Sequence, residues 1–163
     1  MKNAGMTFVE LLVSVAVVGS LIMLSYFSFE KWMAKYIVEK STRDLYADMM
    51  HTRITAMARC RDYYLVLDQA SYTMYEDRNE DGDPDEGEEV PAYPKKVKQA
   101  LHWNGSGAAF TFDKRGQVTP NRTIWFVSGA NPDSDCMRVS RTRILIGKSK
   151  HKENGEFEEC EIH

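Results

Sequence analysis

Residues 5–24, GMTFVELLVSVAVVGSLIML, contain a long apolar run with a single acid near its start. After Glu10 the next 19 residues contain no Asp, Glu, Lys, Arg or His, and the next charge is Glu30. A helix of that length spans a hydrocarbon layer of roughly 30 Å. An unpaired carboxylate at the edge of such a helix costs on the order of 2.5 kcal/mol or more. We therefore predict a membrane-inserted helix whose acid has a functional partner.

The residues that flank the apolar run favour a retained anchor over a cleaved secretory signal. The run is longer than the 7–15 residues or so of a signal-peptide core, and no small-residue cleavage site follows it. Lys2 is the only charge before Glu10. A basic leader stays on the cytoplasmic side of the membrane. We expect a single pass through a membrane, with the rest of the chain outside.

In this segment the sequence resembles the class III signal of type IV pilins and type II secretion pseudopilins. Lys2, Gly5, Met6, Thr7 and Glu10 carry the likeness, together with the LLVSVAVVGSLIML that follows. The resemblance implies a leader of residues 1–5, cleavage between Gly5 and Met6 by a prepilin peptidase, and N-methylation of Met6. It also implies that the Glu10 carboxylate pairs with the N-terminal amine of an adjacent subunit and sets the assembly register. The alternative is an ordinary anchor whose acid reaches the lipid headgroups.

The apolar run leads into an amphipathic stretch without a helix-breaking residue. No proline occurs before Pro84. We predict one helix from about Met6 to about Arg59, roughly 80 Å long, with a membrane or filament-core part at 6–29 and an amphipathic part at 30–59. Its apolar positions at helical spacing are Ile37, Val38, Leu45, Met49, Ile54 and Met57.

The remainder of the chain, residues 60–163, predicts a β-rich head. Short runs of β-branched and aromatic residues alternate with Gly and Pro. The predicted strands are YYLVLD, SYTMYE, AAFTFD, TIWFVS, CMRVS and TRILIG. A long helix laid on one antiparallel sheet is an α+β architecture.

The sequences FTFDKRGQVTPNRTIWFVS and CMRVSRTRIL in this half resemble the GspH/FimT subgroup of minor pseudopilins. The resemblance implies a pilin-like fold and other pilin or pseudopilin subunits as partners. It further implies a place near the tip of a periplasmic filament, where such a subunit primes assembly or contacts secreted cargo. In the subgroup the last turn commonly has Gly before its Arg, whereas Thr142 precedes Arg143 here.

Residues 76–89 form an acidic segment with nine acids and one base, in a chain of 21 Lys and Arg against 24 Asp and Glu. The segment fits the calcium-loop pattern D-x-[DN]-x-[DN]-G-x5-E. Oxygen ligands at alternate positions wrap a hard cation, and Gly82 permits the sharp turn. We predict a calcium loop in a β-connection, with a solvated acidic turn as the alternative and no other cofactor. The predicted ligands are Asp77, Asn79, Asp81, Asp83, Asp85 and Glu88.

Three cysteines are compatible with one disulfide in an oxidising compartment. Cys136 and Cys160 flank the terminal hairpin-like segment and are the expected pair. Closing a loop of about 25 residues contributes roughly 3 kcal/mol in the chain-entropy model. Cys60, at the predicted helix end, is then expected to be a buried thiol, and a bridge from Cys60 to either other cysteine is the alternative.

Residues 136–152 hold six bases and no acid. A basic ridge is the electrostatic footprint of DNA binding, and some members of the resembled subgroup bind DNA. A solvated strand face is the competing interpretation. The residues concerned are Arg138, Arg141, Arg143, Lys148, Lys150 and Lys152.

The four histidines show no zinc-ligand spacing, and no nucleophile or phosphate-loop motif is present. We therefore predict a structural assembly protein without enzyme activity, with a DNA-binding minor pilin as the alternative function.

Overall fold

One long helix dominates the structure, a computed structural model that describes residues 7–151 and 156–162 apart from the side chains of 24–28. Helix α1 (Phe8–Arg59) runs for 52 residues, which confirms the predicted single helix. It begins after Thr7, whose hydroxyl accepts a hydrogen bond from the backbone N–H of Glu10 at 3.3 Å. It ends at Cys60, which adopts the left-handed conformation (φ 53°) typical of a helix C-cap.

Several predicted sites fall outside the described residues, namely Gly5, Met6 and Lys152. The predicted span of 6–29 also includes residues 24–28, whose side chains are not described. In the part of the chain that the structure does describe, no helix has the combination of length and apolar character needed to cross a bilayer.

The C-terminal half of α1 buries one stripe against the head. Val38, Leu45 and Met49 are fully buried. The interpretation of Ile54 and Met57 as part of this stripe is wrong, because both are exposed, at 57% and 41%. A step of five residues from Met49 to Ile54 turns the helix by about 140°, away from the sheets. The stripe is completed by Thr42, Thr52 and Ala56.

The head contains two five-stranded antiparallel sheets rather than one. The strands are β1 (Tyr63–Leu67), β2 (Ser71–Glu76), β3 (Lys95–Lys96), β4 (Leu101–Trp103), β5 (Ala109–Phe112), β6 (Val118–Thr119), β7 (Arg122–Phe126), β8 (Cys136–Val139), β9 (Ile144–His151) and β10 (Phe157–Ile162). Sheet 1 has the order β3-β2-β1-β5-β6, and sheet 2 has the order β10-β9-β8-β7-β4. The six predicted strands are present as β1, β2, β5, β7, β8 and β9, and the other four are short or acidic.

The core lies where α1 meets both sheets. The helix contacts β1 and β5 of sheet 1 and β8 and β9 of sheet 2. Alternation along the strands sends every second side chain inward. Phe110 and Phe112 of β5 and Ile124 and Phe126 of β7 are accordingly buried. One hydrophobic core therefore joins the two sheets to the helix.

A disulfide joins β8 to β10 across the strand between them. Cys136 and Cys160 are bonded, and both strands pair with β9. Gly147 of β9 leaves the room for this crossing, because an added Cβ would collide with the backbone carbonyl of Glu161 and lie 3.0 Å from the Cys160 sulfur. The expectation that Cys60 is buried is wrong. Its thiol is exposed and free, because the left-handed cap turns the chain at the protein surface.

Candidate assembly interface

The N-terminal half of α1 presents apolar side chains to its surroundings over about four turns. Phe8 is 73% exposed, and Met23, at the far end, is 67% exposed. A helix that is apolar all round is stable only when something apolar covers it. The exposed side chains are Phe8, Val9, Leu11, Leu12, Val13, Val15, Val17, Val18, Leu21, Ile22 and Met23.

Glu10 is exposed in the first turn of the helix. Backbone N–H groups at a helix N-terminus carry partial positive charge, which favours a carboxylate there. One turn further on, the Ser14 hydroxyl donates to the backbone carbonyl of Glu10 at 2.7 Å. The helix thus presents one acid at the end of an otherwise apolar surface, available to a cationic group on another molecule.

An aromatic stripe marks the position where α1 leaves the head. The rings of Trp32 and Tyr36 stack with centroids 5.6 Å apart, and Phe29 lies 6.0 Å from Trp32. Trp32 is 58% exposed. The spacing i, i+3, i+7 places the three rings on one helix face. The spacing of the three rings is visible in the sequence, and it is the signal by which this stripe could have been predicted.

Ionic contacts hold the head to the helix just beyond this stripe. The Lys35 ammonium donates to the Asp133 carboxylate at 2.6 Å, and the Asp133 N–H donates to the Glu39 carboxylate at 3.1 Å. The hydrogen bond to Asp133 raises the pKa of Lys35, although partial burial opposes it. The loop between β7 and β8 is thereby tied to the helix near the edge of the head.

A second polar tie joins the C-terminal end of α1 to β2. Arg59 donates to the Glu76 carboxylate at 3.1 Å and to the Tyr63 hydroxyl at 3.2 Å. Burial alone raises the pKa of Glu76, but hydrogen bonds from Tyr63 and Arg59 and the charges of Arg59 and Arg78 outweigh it. The pKa of Glu76 therefore lies below its ordinary value. The ionised carboxylate is the form that fixes the helix end.

The acidic loop between β2 and β3 follows this tie. Glu88 is buried, and one of its oxygens accepts from the N–H groups of Arg78 and Asn79 at 2.8 and 3.3 Å. Glu88, one of the predicted ligands, therefore holds the backbone at the start of the loop. Asp83 is exposed. Within the described residues, no three Asp, Glu, His or Cys side chains are arranged as a ready metal-binding group.

The basic residues that the structure describes between 138 and 150 do not form one free ridge. Arg138 donates to the backbone carbonyl of Cys160 at 3.0 Å. Lys150 pairs with Glu159 at 3.6 Å and also with Glu161 on the neighbouring strand β10. The acidic strand β10 thus pairs beside the basic strand β9, a pairing that the sequence alone does not show. Arg141 and Arg143 are exposed at the β8–β9 turn, and Lys148 is half-buried.

A Ser, an Asp and a His meet in sheet 2. The Ser149 hydroxyl lies 2.6 Å from the Asp135 carboxylate and 2.9 Å from Nε2 of His151. In a catalytic triad the histidine stands between the carboxylate and the nucleophile, whereas here the serine stands between the other two. Ser149 is buried, and its N–H also donates to Asp135 at 2.6 Å. The group ties a loop to β9.

Comparisons with family models and with solved structures find matches to this chain. Residues 41–143, more than half of the chain, match the family model of the type II transport protein GspH. The minor pseudopilin EpsH from the type 2 secretion system of Vibrio cholerae has a similar fold, with 15% identity and a TM-score of 0.53 over 68% of this chain and 96% of that one. The type IV minor pilin FimU of Pseudomonas aeruginosa matches at 11% identity and a TM-score of 0.49, covering 76% and 93%. No curated protein matches.

Proposed function

This chain belongs to the GspH family of type II transport proteins, and we propose that it is a minor pseudopilin or minor pilin that joins a periplasmic filament through its N-terminal helix. The observation that carries the proposal is the division of α1 (Phe8–Arg59). The head covers its C-terminal half, whereas apolar side chains from Phe8 to Met23 are exposed. Equivalent helices of other pilin subunits are the partner that best fits such a surface.

The proposed route to the filament begins in the inner membrane. The apolar run inserts there, with the N-terminus cytoplasmic and the head periplasmic. Lys2 before the run and the disulfide between Cys136 and Cys160 support this orientation. Prepilin peptidase then cuts between Gly5 and Met6 and methylates the new N-terminus.

In the filament, Glu10 pairs with the N-terminal amine of the neighbouring mature subunit. The support is its place at the end of the exposed apolar surface, where a carboxylate gains most from an ionic partner. The function is positional: the helix sets the subunit in register, and the head faces partners or secreted cargo near the tip.

Intact mass spectrometry of the membrane protein tests the processing step. We expect coexpression with prepilin peptidase to remove residues 1–5 and add one methyl group to Met6, and we expect the chain to stay uncut without the peptidase. Gly5→Val is the matched variant, expected to remain full length because a side chain at that position obstructs cleavage. A wild-type chain that is uncut with active peptidase present would contradict the proposal.

A further inference from the structure

The acidic loop of residues 77–88 is fastened at both ends to the body of the head. The N–H of Glu76 donates to the carbonyl of Glu88 at 2.9 Å, and the N–H of Asp77 donates to the carbonyl of Asp62 at 3.1 Å. Gly82 takes φ +92°, a conformation that L side chains rarely adopt, and so permits the sharp turn within the loop. The loop is therefore a tethered turn close to the end of α1.

Asp77 carries an oxygen atom that no described protein group satisfies. The residue is only 4% exposed. Its Oδ2 accepts from the Gly82 N–H and from the Tyr64 hydroxyl, both at 3.3 Å, whereas its Oδ1 has no hydrogen-bond partner. A buried carboxylate oxygen without a partner is costly, because it has lost its hydration. The bond to Gly82 turns this carboxylate toward the interior of the loop, where a cation would satisfy it.

Two further carboxylates are drawn to the same turn. The Asn79 amide nitrogen donates to Asp81 at 2.8 Å and to Asp85 at 3.1 Å, and so stands between two like charges. A neutral amide carries no net charge to offset the repulsion between these two carboxylates, whereas a divalent cation between them does.

We infer that this loop binds one calcium ion through the carboxylates of Asp77, Asp81 and Asp85 and the amide oxygen of Asn79. Binding draws the three carboxylates together, since they do not form a ready metal-binding group in the described residues without the ion. It also turns the Asn79 amide, so that its oxygen replaces its nitrogen beside Asp81 and Asp85. Glu88 contributes by accepting hydrogen bonds from the backbone N–H groups of Arg78 and Asn79, which holds the loop in place around the ion. An irregular set of oxygen ligands suits Ca²⁺, whereas Mg²⁺ demands near-ideal octahedral geometry. The inference does not depend on the proposed assembly function.

Thermal unfolding of the full chain in detergent, after chelator treatment, tests this inference with calcium and magnesium chloride as probes. We expect calcium to raise the Tm, with half of the effect at about 0.1–1 mM, the range of extracellular calcium modules. The same concentration of magnesium should give a clearly smaller shift. Terbium emission sensitised by Tyr64, whose hydroxyl contacts Asp77, reports binding independently of stability.

Matched variants distinguish calcium binding at a defined site from general electrostatic screening of the acidic residues by the cation. Asp81→Asn and Asp85→Asn, both at exposed positions, should weaken calcium binding by about tenfold or more, because ligand charge sets the affinity. Glu86→Gln makes the same change of charge at an exposed position of the same loop and should leave calcium binding unchanged. In the absence of calcium, the Asp77→Asn variant should have a Tm equal to or above that of the wild type. Added calcium should no longer raise its Tm.

Two results would overturn the site. The first is no change in Tm or terbium emission at millimolar calcium. The second is an equal response to calcium and magnesium that Glu86→Gln reduces as much as Asp81→Asn does.

Discussion

The two halves of helix α1 have the same backbone but opposite surroundings. Between Val38 and Ala56, one stripe is fully buried against two sheets, and the remaining faces are exposed or half-buried. Between Phe8 and Met23, apolar residues occupy every face, and every residue is exposed. The first pattern is that of a helix folded onto its own chain, and the second is that of a helix completed by other molecules.

This difference in exposure shows which contacts stabilise each half of α1. The head supplies its own core, so the C-terminal half of α1 needs no partner to be folded. The N-terminal half extends away from that core, and its apolar side chains are exposed rather than buried against the head. Trp32 and Tyr36 lie at the boundary between the exposed and the buried half of the helix.

The largest expected effect comes from removing the same side chain in each half. Leu45 is fully buried, whereas Leu12 is 53% exposed. Leu45→Ala should lower the free energy of unfolding by about 2–5 kcal/mol, because it leaves a cavity in the core. Leu12→Ala should change it by less than about 0.5 kcal/mol. Denaturant unfolding of the purified full chain, monitored in one detergent, measures both. Equal losses in the two variants would mean that the halves are not energetically distinct.

A smaller effect is expected from the tie at the end of the buried half. Glu76→Gln should reduce stability at pH 7 by roughly 1 kcal/mol, since Arg59 loses an ionised acceptor. Because the folded pKa of Glu76 is below the ordinary 4.5, the wild-type advantage is complete above that pH and is lost as the pH falls through the folded pKa.

Unfolding curves from pH 7 downward, with Glu158→Gln as an exposed control, measure this dependence. If the difference in free energy of unfolding between wild type and Glu76→Gln grows as the pH falls, the assigned contact between Arg59 and Glu76 would be contradicted.

Periodicity alone predicted the helix and six strands, because those segments are long or strongly apolar. The division into two sheets was not predictable, since it depends on pairings between residues distant in the chain. Strands β3 and β6 have two residues each, and β10 is acidic, so none has a strong local pattern. The sequence suggested the disulfide between Cys136 and Cys160, but the space at Gly147 that lets β10 lie beside β9 is visible only in the fold.

The candidate sites also divide into those that local sequence predicts and those that depend on contacts between distant residues. Glu10 and the acidic loop are visible in the sequence because their residue types and spacing are local. The buried oxygen of Asp77 and the backbone bonds of Glu88 depend on which way N–H groups point, and no residue pattern encodes that. The pairing of Lys150 with Glu161 likewise required the register of two strands.

Filament incorporation of Glu10 variants tests the central claim most directly. Sheared filaments and membranes from the same cells are compared by immunoblotting for wild type, Glu10→Val, Glu10→Asp and the control Ser14→Val, one turn away. The account predicts equal membrane recovery for all four, with Glu10→Val reduced in filaments by about tenfold or more because an ion pair in an apolar setting is broken. Glu10→Asp and Ser14→Val should remain largely incorporated. Normal incorporation of Glu10→Val would contradict the claim that this acid sets the register of the exposed half of the helix.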